Sequence, residues 1–390
     1  MRIATAVLLA IVATALVPSP SHPAVRYSYV GLCDGEICLI GVHGRTKLTL
    51  ARGTEQADWE GIAVSLRSGK IVSSLVPDAG YYRAKLYEID PRTHERRAVP
   101  NGVGYHVPEC PAWLNDDVLL LDKIDKDGLD RGVYALNIRT GAAKLVVPPR
   151  PDNEFFYDPF PLSPSGRYVL TSFSVTGGTW LSVSDAVLGK RLWRTNPDEG
   201  MTGFPTAAWS ADEKWLYAGF SIDGELASSS PGGVWRFDVR TGKQYPWKYA
   251  GHSIDGVFSV PRSNVVIVDR KTIDCLRMSD GRLLASLHAT QVGRVLGAFG
   301  LPNGRWLLCG SQMIVKMDSR ARRLRAWPVR GLASSTVRFS PSRNAIMFGG
   351  ASRDGAYNNK AGVLDINTGR VTRFAAYVGQ VEWLPRDVVR

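Results

Sequence analysis

The chain has 390 residues, of which 44% are hydrophobic and 22% are charged, and its formal net charge is +12. This composition excludes a globally disordered chain and provides ample apolar material for a large core. The 39 glycines and 23 prolines lie mostly between short apolar runs instead of in one linker, as expected for many turns, and this favours β structure.

The first 24 residues have the pattern of an export signal. Arg2 supplies a positive charge, an apolar run extends from Ile3 to Val17, and prolines and small residues follow as far as Ala24. The apolar run is shorter than the ~20 residues that span a bilayer. We therefore expect residues 1–24 to be a cleaved signal peptide, with an uncleaved anchor as the alternative, and the mature chain to be periplasmic or secreted without a membrane span.

A turn phrase recurs along the rest of the chain: alternating apolar residues, an Asp or Asn, and Thr-Gly or a substitute three residues later. Clear copies contain Asp90, Asn137, Asp185, Asp238 and Asp365, and degenerate copies surround Ile40, Arg277 and Asp318. The copies lie 39 to 53 residues apart, which suits a four-stranded propeller blade. Asp can cap such a turn and Gly can adopt its left-handed conformation, so the phrase predicts the turn between the third and fourth strands.

A second phrase, rich in Ser, Pro, Asn and Gly, precedes the first in most repeats. It begins at Leu162, Trp209, Leu301 and Phe339, and it predicts a hairpin between the first and second strands of a blade. No window beyond the signal has the 3.6-residue stripe of a long helix.

The two ends of the chain complement each other. Residues 27–50 supply only three strands, whereas an extra strand, 378–385, follows the last Thr-Gly unit. If this strand completes the first blade, no sheet edge is left open. The predicted fold is all-β: a single β-propeller over residues 25–390, with eight four-stranded blades and closure by amino- and carboxy-terminal strands. Seven blades are the alternative, because the repeats around Ile40 and Arg277 are the weakest.

The phrases Leu162-Ser-Pro-Ser-Gly-Arg-Tyr-Val-Leu and Phe339-Ser-Pro-Ser-Arg-Asn, each with a following Asp-x-x-Thr-Gly unit, resemble the WD40-like propeller repeats of the TolB type, found in bacterial exported proteins. Residues 183–193 resemble the tryptophan-docking repeat of quinoprotein-like propellers. The other repeats depart from that second pattern, so we expect no quinone and no other cofactor. Trp193 and Trp247 are predicted to pack between blades.

The cysteine positions suggest one candidate disulfide. The five cysteines cannot all pair within the chain. Cys33 and Cys38 flank an Asp-Gly turn, and they are a candidate disulfide in an oxidising compartment, with free thiols as the alternative. The others lie in apolar runs, where a buried thiol is expected.

Positive charge is densest at residues 320–325, Arg-Ala-Arg-Arg-Leu-Arg, and is otherwise scattered. A basic exported protein can approach anionic lipid, polysaccharide or nucleic acid. Because aromatic residues are not interleaved with the cations, we expect no nucleic-acid partner, and we interpret the scattered cations as a solvated surface.

A candidate ligand site is expected at one mouth of the central channel, where residues entering the first strand of each blade converge. These residues are acid-rich for a basic protein, and the functional interpretation is a site for a cation, metal or sugar. The alternative is an ordinary wet, polar channel mouth. The candidates are Asp58, Trp59, Glu60, His106, Glu109, Tyr157, Asp158, His252, Asp255, Arg294 and Glu382.

The sequence contains none of the common hydrolase, phosphate-loop or metalloprotease motifs. This absence favours a non-enzymatic module that binds or scaffolds a protein or a cell-envelope component, and we expect a monomer. The alternative is a propeller enzyme of the lactonase, lyase or glycosidase type, with carboxylates or a metal at the channel mouth.

Overall fold

The computed structural model describes residues 28–385 except residues 34, 42–45, 79, 109–111, 150–161, 176–177, 196–201, 222–231, 261–262, 330–336, 341, 343, 349–361 and 375–379. The predicted signal peptide lies outside the described residues. Helix in the described part is limited to α1 (Ala289–Val292) and the 3-10 turns Tyr81–Arg83 and Pro302–Gly304. The chain is otherwise built from short strands and turns.

The strands are β1 (Ser28–Cys33), β2 (Glu36–Ile40), β3 (Thr46–Ala51), β4 (Ala57–Val64), β5 (Ile71–Pro77), β6 (Lys85–Ile89), β7 (Arg96–Val103), β8 (Tyr105–His106), β9 (Ala112–Trp113), β10 (Val118–Ile124), β11 (Asp130–Asn137), β12 (Ala143–Val147), β13 (Tyr168–Val175), β14 (Gly178–Asp185), β15 (Lys190–Arg194) and β16 (Thr202–Trp209). They continue with β17 (Trp215–Ser221), β18 (Gly233–Asp238), β19 (Gln244–Lys248), β20 (Gly256–Ser259), β21 (Val265–Asp269), β22 (Thr272–Arg277), β23 (Leu283–His288), β24 (Val295–Gly300), β25 (Trp306–Gly310), β26 (Met313–Met317), β27 (Arg323–Pro328), β28 (Arg338–Phe339), β29 (Ala345–Phe348), β30 (Gly362–Asp365), β31 (Val371–Arg373) and β32 (Val381–Leu384).

These strands form a β-propeller of eight four-stranded antiparallel blades. Blade 1 has the order β32-β1-β2-β3, blade 2 has β4 to β7, and blade 3 has β8 to β12, with β8 and β9 sharing the innermost position. Blade 4 includes β13 to β15, and blades 5 to 8 follow as β16 to β19, β20 to β23, β24 to β27 and β28 to β31. The eight-blade prediction is confirmed, and the seven-blade alternative is wrong.

The predicted closure is also confirmed. Strand β32 pairs antiparallel with β1, with Tyr29 opposite Trp383, so the last strand is the innermost strand of the first blade. Just before β32, the side-chain amide of Gln380 accepts from the Ile62 N–H at 2.8 Å and donates to the Ile62 carbonyl at 2.6 Å. Because Ile62 lies in β4, this amide joins the closing strand to blade 2 as well.

The alternation of strands defines two faces of the propeller. Turns between the first and second strands, and between the third and fourth strands, lie on what we call the lower face. Hairpins between the second and third strands, and connections into the next blade, lie on the opposite, upper face. The upper face therefore holds the predicted channel mouth.

The Asp-x-x-Thr-Gly phrase forms the predicted turn between the third and fourth strands. In blade 5, Asp238 Oδ1 accepts the N–H groups of Arg240 at 3.0 Å and Thr241 at 2.8 Å. Gly242 then donates its N–H to the Asp238 carbonyl at 2.8 Å and has φ 72°. In blade 2, where the phrase lacks Gly, His94 takes the same left-handed conformation with φ 62°.

These turns also dock each blade on the preceding one. A Cβ on Gly242 would lie 2.7 Å from Cγ of Trp193 in blade 4, and the indole of Trp193 donates to the Val239 carbonyl at 2.8 Å. In blade 8, a Cβ on Gly369 would lie 2.5 Å from the indole nitrogen of Trp327 in blade 7. The turn glycine is therefore needed for close approach as well as for φ, and the predicted interblade packing of Trp193 is confirmed.

The described core is divided into eight apolar clusters, one between each pair of neighbouring blades. Between blades 6 and 7, for example, Ile267 and Cys275 pack with Trp306 and Leu308. Between blades 8 and 1, Met347 packs with residues of the closing strand and of β1. Each interface is a sheet-on-sheet contact in which alternate side chains of both blades are buried.

The candidate disulfide is absent, because Cys33 and Cys38 are thiols in the structure. In the β1–β2 hairpin, Cys33 lies opposite Glu36 and Cys38 lies opposite Gly31, so the two cysteines are diagonal neighbours instead of direct partners. Diagonal Cβ atoms are roughly 7 Å apart, whereas a disulfide needs about 4 Å. The Sγ of Cys38 instead lies 3.9 Å from the Thr49 hydroxyl.

Replacing the turn glycine should reveal the strength of the interblade contact. Gly128→Ala adds a methyl group at φ 75° with nothing within 4 Å, so it should cost about 1 kcal/mol of unfolding free energy from backbone conformation alone. Gly242→Ala has the same φ penalty plus the collision with Trp193, which should cost roughly 1–3 kcal/mol more. Urea unfolding of both variants measures the difference, and equal losses would contradict the docking role.

Removing the Gln380 amide should weaken the closure. Gln380→Ala leaves the buried N–H and carbonyl of Ile62 without this partner, and we expect a loss of about 2–4 kcal/mol in unfolding free energy. Gln291→Ala, at an exposed position of α1, is the matched control and should change stability by less than about 0.5 kcal/mol. If the two variants unfold at the same urea concentration, Gln380 does not fasten the ring.

Candidate binding site at the channel mouth

Charge is divided between the inside and the perimeter of the propeller. The described innermost strands carry the acids Asp58, Glu60 and Glu382 and one cation, Arg338. The eight outermost strands, by contrast, contain eleven Lys and Arg and no Asp or Glu within their bounds. The described innermost strands are therefore more acidic than the outermost strands, which are basic.

Two of the predicted site residues meet around a third carboxylate. Asp255 directly precedes β20, and its backbone N–H donates to the Asp269 carbonyl at 2.8 Å. Arg294 directly precedes β24, and the N–H of the next residue, Val295, donates to the Asp269 carboxylate at 2.7 Å. Asp269 therefore joins the starts of the inner strands of blades 6 and 7, and the side chains of Asp255 and Arg294 are exposed on either side of it.

The Asp269 carboxyl titrates far from its ordinary range. Burial raises its pKa to about 6, because the residue is 3% exposed and its charged form loses hydration. The Val295 N–H favours the ionised form, the negative charge of Asp255 disfavours it, and the positive charge of Arg294 favours it. This carboxyl consequently changes charge near neutral pH, at the edge of the channel mouth.

A second buried carboxylate, that of Asp274, holds the loops next to this region in place. Asp274 in β22 accepts hydrogen bonds from the hydroxyls of Tyr249 at 2.7 Å and Ser286 at 2.6 Å, and from Arg270 at 2.7 Å and 3.1 Å. Although burial alone would raise it, these donors hold the pKa of Asp274 below its usual value. The guanidinium of Arg270 also lies 4.1 Å from the ring centre of Tyr249. Asp274 thus fastens two upper-face loops to blade 6.

The closing strand contributes a third group. Glu382 in β32 lies 3.3 Å from Nε of Arg338, which is in the inner strand of blade 8. Burial raises the pKa of Glu382, while the charge of Arg338 and a hydrogen bond from Gln380 oppose the change. Glu382 is therefore part of the closure and is 8% exposed.

The other predicted residues are more dispersed. Asp58 and Glu60 are half-buried on one side of β4, and Oδ1 of Asp58 packs so closely on the β1–β2 hairpin that a Cβ on Gly35 would lie 2.7 Å away. His106 is 9% exposed and lies opposite Asp122 in the register of β8 and β10. His252 is exposed in the loop before β20.

Trp59 requires a correction. Its indole is 1% exposed, belongs to the core between blades 1 and 2, and meets the ring of Tyr87 edge-on at 5.6 Å. Successive side chains of a strand point to opposite sides, so the residue between Asp58 and Glu60 lies in the core. Glu109, Tyr157 and Asp158 lie outside the described residues.

Sequence reasoning missed Asp269, Asp274, Arg270, Tyr249 and Gln380. One signal was available: Asp269 ends the fully apolar run Val-Val-Ile-Val, where a charge is unusual in a buried strand. Asp274 lies inside a similar strand, Thr-Ile-Asp-Cys-Leu-Arg. Their partners are distant in the sequence, and no local motif connects them.

Three solved structures that are similar to this chain have low sequence identity to it. A eukaryotic initiation factor is 12% identical, with 93% of this chain and 98% of that chain covered and a TM-score of 0.50. The computationally designed Ika8 protein is 17% identical, with 82% and 87% covered and a TM-score of 0.51. BamB from Moraxella catarrhalis is 15% identical, with 82% and 92% covered and a TM-score of 0.48.

These likenesses concern the fold alone, and the neighbours include β-propeller proteins with WD40-like architecture. No protein-family model matches the chain, and no curated protein matches its sequence. Across the described residues, no three His, Cys, Asp or Glu side chains are grouped as metal ligands. No helix in that part of the chain is long and apolar enough to cross a membrane.

The raised pKa of Asp269 predicts a pH-dependent stability. The Asp269 carboxyl has a pKa near 6 in the folded chain and near its ordinary value in the unfolded chain. Its stabilising contribution is therefore fully present at low pH, where the carboxyl is protonated in both the folded and the unfolded chain. That contribution is lost as pH rises through 6. Between about pH 4 and about pH 7, we expect the wild-type chain to lose about 2–3 kcal/mol relative to Asp269→Asn.

Unfolding free energies of both chains across this range measure the effect. Asp255→Asn should move the pH midpoint of this stability change to lower pH, and Arg294→Gln should move it to higher pH. The reason is that the charges of Asp255 and Arg294 act on the pKa of Asp269 in opposite directions. A stability difference between wild type and Asp269→Asn that does not change with pH would contradict the assignment.

Proposed function

We propose that this chain is an exported, non-enzymatic binding or scaffolding module that holds a protein or a cell-envelope component at its upper face. The observation that carries the proposal is the Asp255–Asp269–Arg294 group. It offers one exposed anion and one exposed cation, both positioned by the rigid starts of inner strands instead of by long loops. Such a pair supports directional recognition of a partner with complementary charges.

Three features of the sequence agree with this role. The pattern of residues 1–24 is the basis for proposing export, and the resemblance of the repeats to the TolB type favours a periplasmic setting. The lack of catalytic motifs favours binding over catalysis, although fold alone does not determine function. The proposed contact area is the mouth around Asp255 and Arg294, with the closure around Glu382 as the adjoining channel wall.

The test compares two matched charge variants of the full chain. Asp255→Asn with Arg294→Gln removes the exposed charges at the mouth, and Asp280→Asn with Arg277→Gln removes a partly exposed ion pair of 3.3 Å on the lower face. Both proteins and wild type are used as immobilised bait for detergent-solubilised envelope from the source cells. We expect a component retained by wild type and by the lower-face variant to be lost from the mouth variant by roughly tenfold or more. Equal retention by all three would refute the mouth as the contact site.

One observation favours a second candidate, a propeller enzyme. A carboxyl whose pKa is near 6, beside Asp255 and Arg294, has the environment of a general acid at neutral pH. The corresponding substrates are lactones, uronate polymers or glycosides. Turnover of any of them by wild type and by Asp280→Asn, but not by Asp269→Asn, would replace binding with catalysis as the function of the mouth.

A further inference from the structure

Large exposed apolar side chains are concentrated on the lower face, opposite the channel mouth. Seven are exposed among the described residues, and all are aliphatic. Val187, Leu188, Leu283, Leu324 and Leu66 lie in lower-face turns or within two residues of them, with exposures of 64%, 62%, 53%, 50% and 46%. Leu48 is in an outermost strand, and Val103 alone ends at the upper face.

Exposed cations accompany these aliphatic residues. Leu66 is followed by Arg67, Leu188 by Lys190 after one glycine, and Leu283 is preceded by Arg282. Leu324 lies between Arg323 and Arg325, within the densest basic run of the sequence. The lower face thus repeats one arrangement, an exposed aliphatic side chain with a cation next to it, in blades 2, 4, 6 and 7.

The turns that carry these residues are held rigidly. Asp185 Oδ1 accepts the N–H groups of both Val187 and Leu188 at 2.9 Å, so their side chains project from a capped turn. Asp318 caps the turn before Leu324 in the same way, accepting the N–H of Arg320 at 2.9 Å. The carboxylates of these turns also pair with other cations, Asp318 with Arg322 at 2.7 Å and Asp185 with Arg167 at 2.9 Å. The cations beside the exposed aliphatic residues are additional to these pairs.

The distribution of the exposed aliphatic side chains favours one class of partner over others. The aliphatic side chains are distributed over several blades on a single face, whereas the core of a protein–protein interface is more apolar than its polar rim. A single-stranded nucleic acid would call for exposed aromatic side chains next to the cations, and none is among the seven. A bilayer surface accepts separate aliphatic insertions along a plane, and its anionic headgroups attract the cations.

We propose that the lower face of this propeller docks on the surface of an anionic lipid bilayer. Val187, Leu188, Leu283 and Leu324 insert at the level of the headgroups, and Lys190, Arg282 and Arg323 lie against lipid phosphates. The contact is peripheral and reversible, since each insertion is a single short side chain. In this orientation the channel mouth faces away from the membrane.

The experiment is flotation of the full chain with vesicles of phosphatidylcholine, with and without phosphatidylglycerol. We expect flotation with the anionic vesicles only, and its loss at high salt. The combined variant Leu188→Ser, Leu283→Ser and Leu324→Ser should bind roughly tenfold more weakly, because it removes three of the four inserted side chains and keeps every charge. Val103→Ser, which removes an aliphatic side chain of 56% exposure at the upper face, is the matched control and should float like wild type.

A second variant, Arg282→Gln with Arg323→Gln, keeps the aliphatic residues and should also float less. Since all substitutions are at exposed positions, circular dichroism and thermal unfolding should match wild type. The proposal is overturned if the chain does not float with either vesicle, or if the leucine variant floats as well as Val103→Ser. Loss of partner retention by the mouth variant has no bearing on this result, so the two proposals fail independently.

Discussion

Each blade of this propeller buries its apolar surface against its neighbours and has no separate core of its own. The eight clusters between blades require that every sheet be held at a fixed distance from the next. The capped turns set that distance on the perimeter, where Gly242 allows the backbone to touch Trp193. Near the channel, Asp269 and Gln380 do the same by joining the inner strands of adjacent blades.

The division of charge follows from the same arrangement. Outermost strands have an unpaired edge, and their Lys and Arg side chains protect that edge from pairing with another chain. Innermost strands converge on the channel, where Asp and Glu find hydrogen-bond donors from neighbouring blades and so can be tolerated when buried. The perimeter formed by the outermost strands is therefore suited to solvent or anionic partners. The channel region has carboxyls with perturbed pKa values.

The architecture could be predicted because its signals are local and periodic. Turn chemistry recurs along the chain, and even at the weak repeats around Ile40 and Arg277 the third and fourth strands of the blade pair. The site was harder to predict from the sequence, because one step along a strand separates half-buried Asp58 from Trp59 in the core. Asp269 depends on Val295, a contact over 26 residues that no local pattern marks. The cations appear scattered in the sequence because each blade contributes only a few, and the fold alone aligns them.

The closing strand determines when the ring can form. Strand β32 is synthesised after every other strand of the propeller, yet it occupies the innermost position of blade 1. Until it arrives, β1 presents an open edge, and blade 1 has only part of each interface with its two neighbours. The chain can assemble hairpins one by one as it emerges, but the cooperative structure waits for its last segment. An incomplete chain is consequently distinguishable from a complete one by an exposed strand edge, which is the feature that chaperones and proteases can recognise.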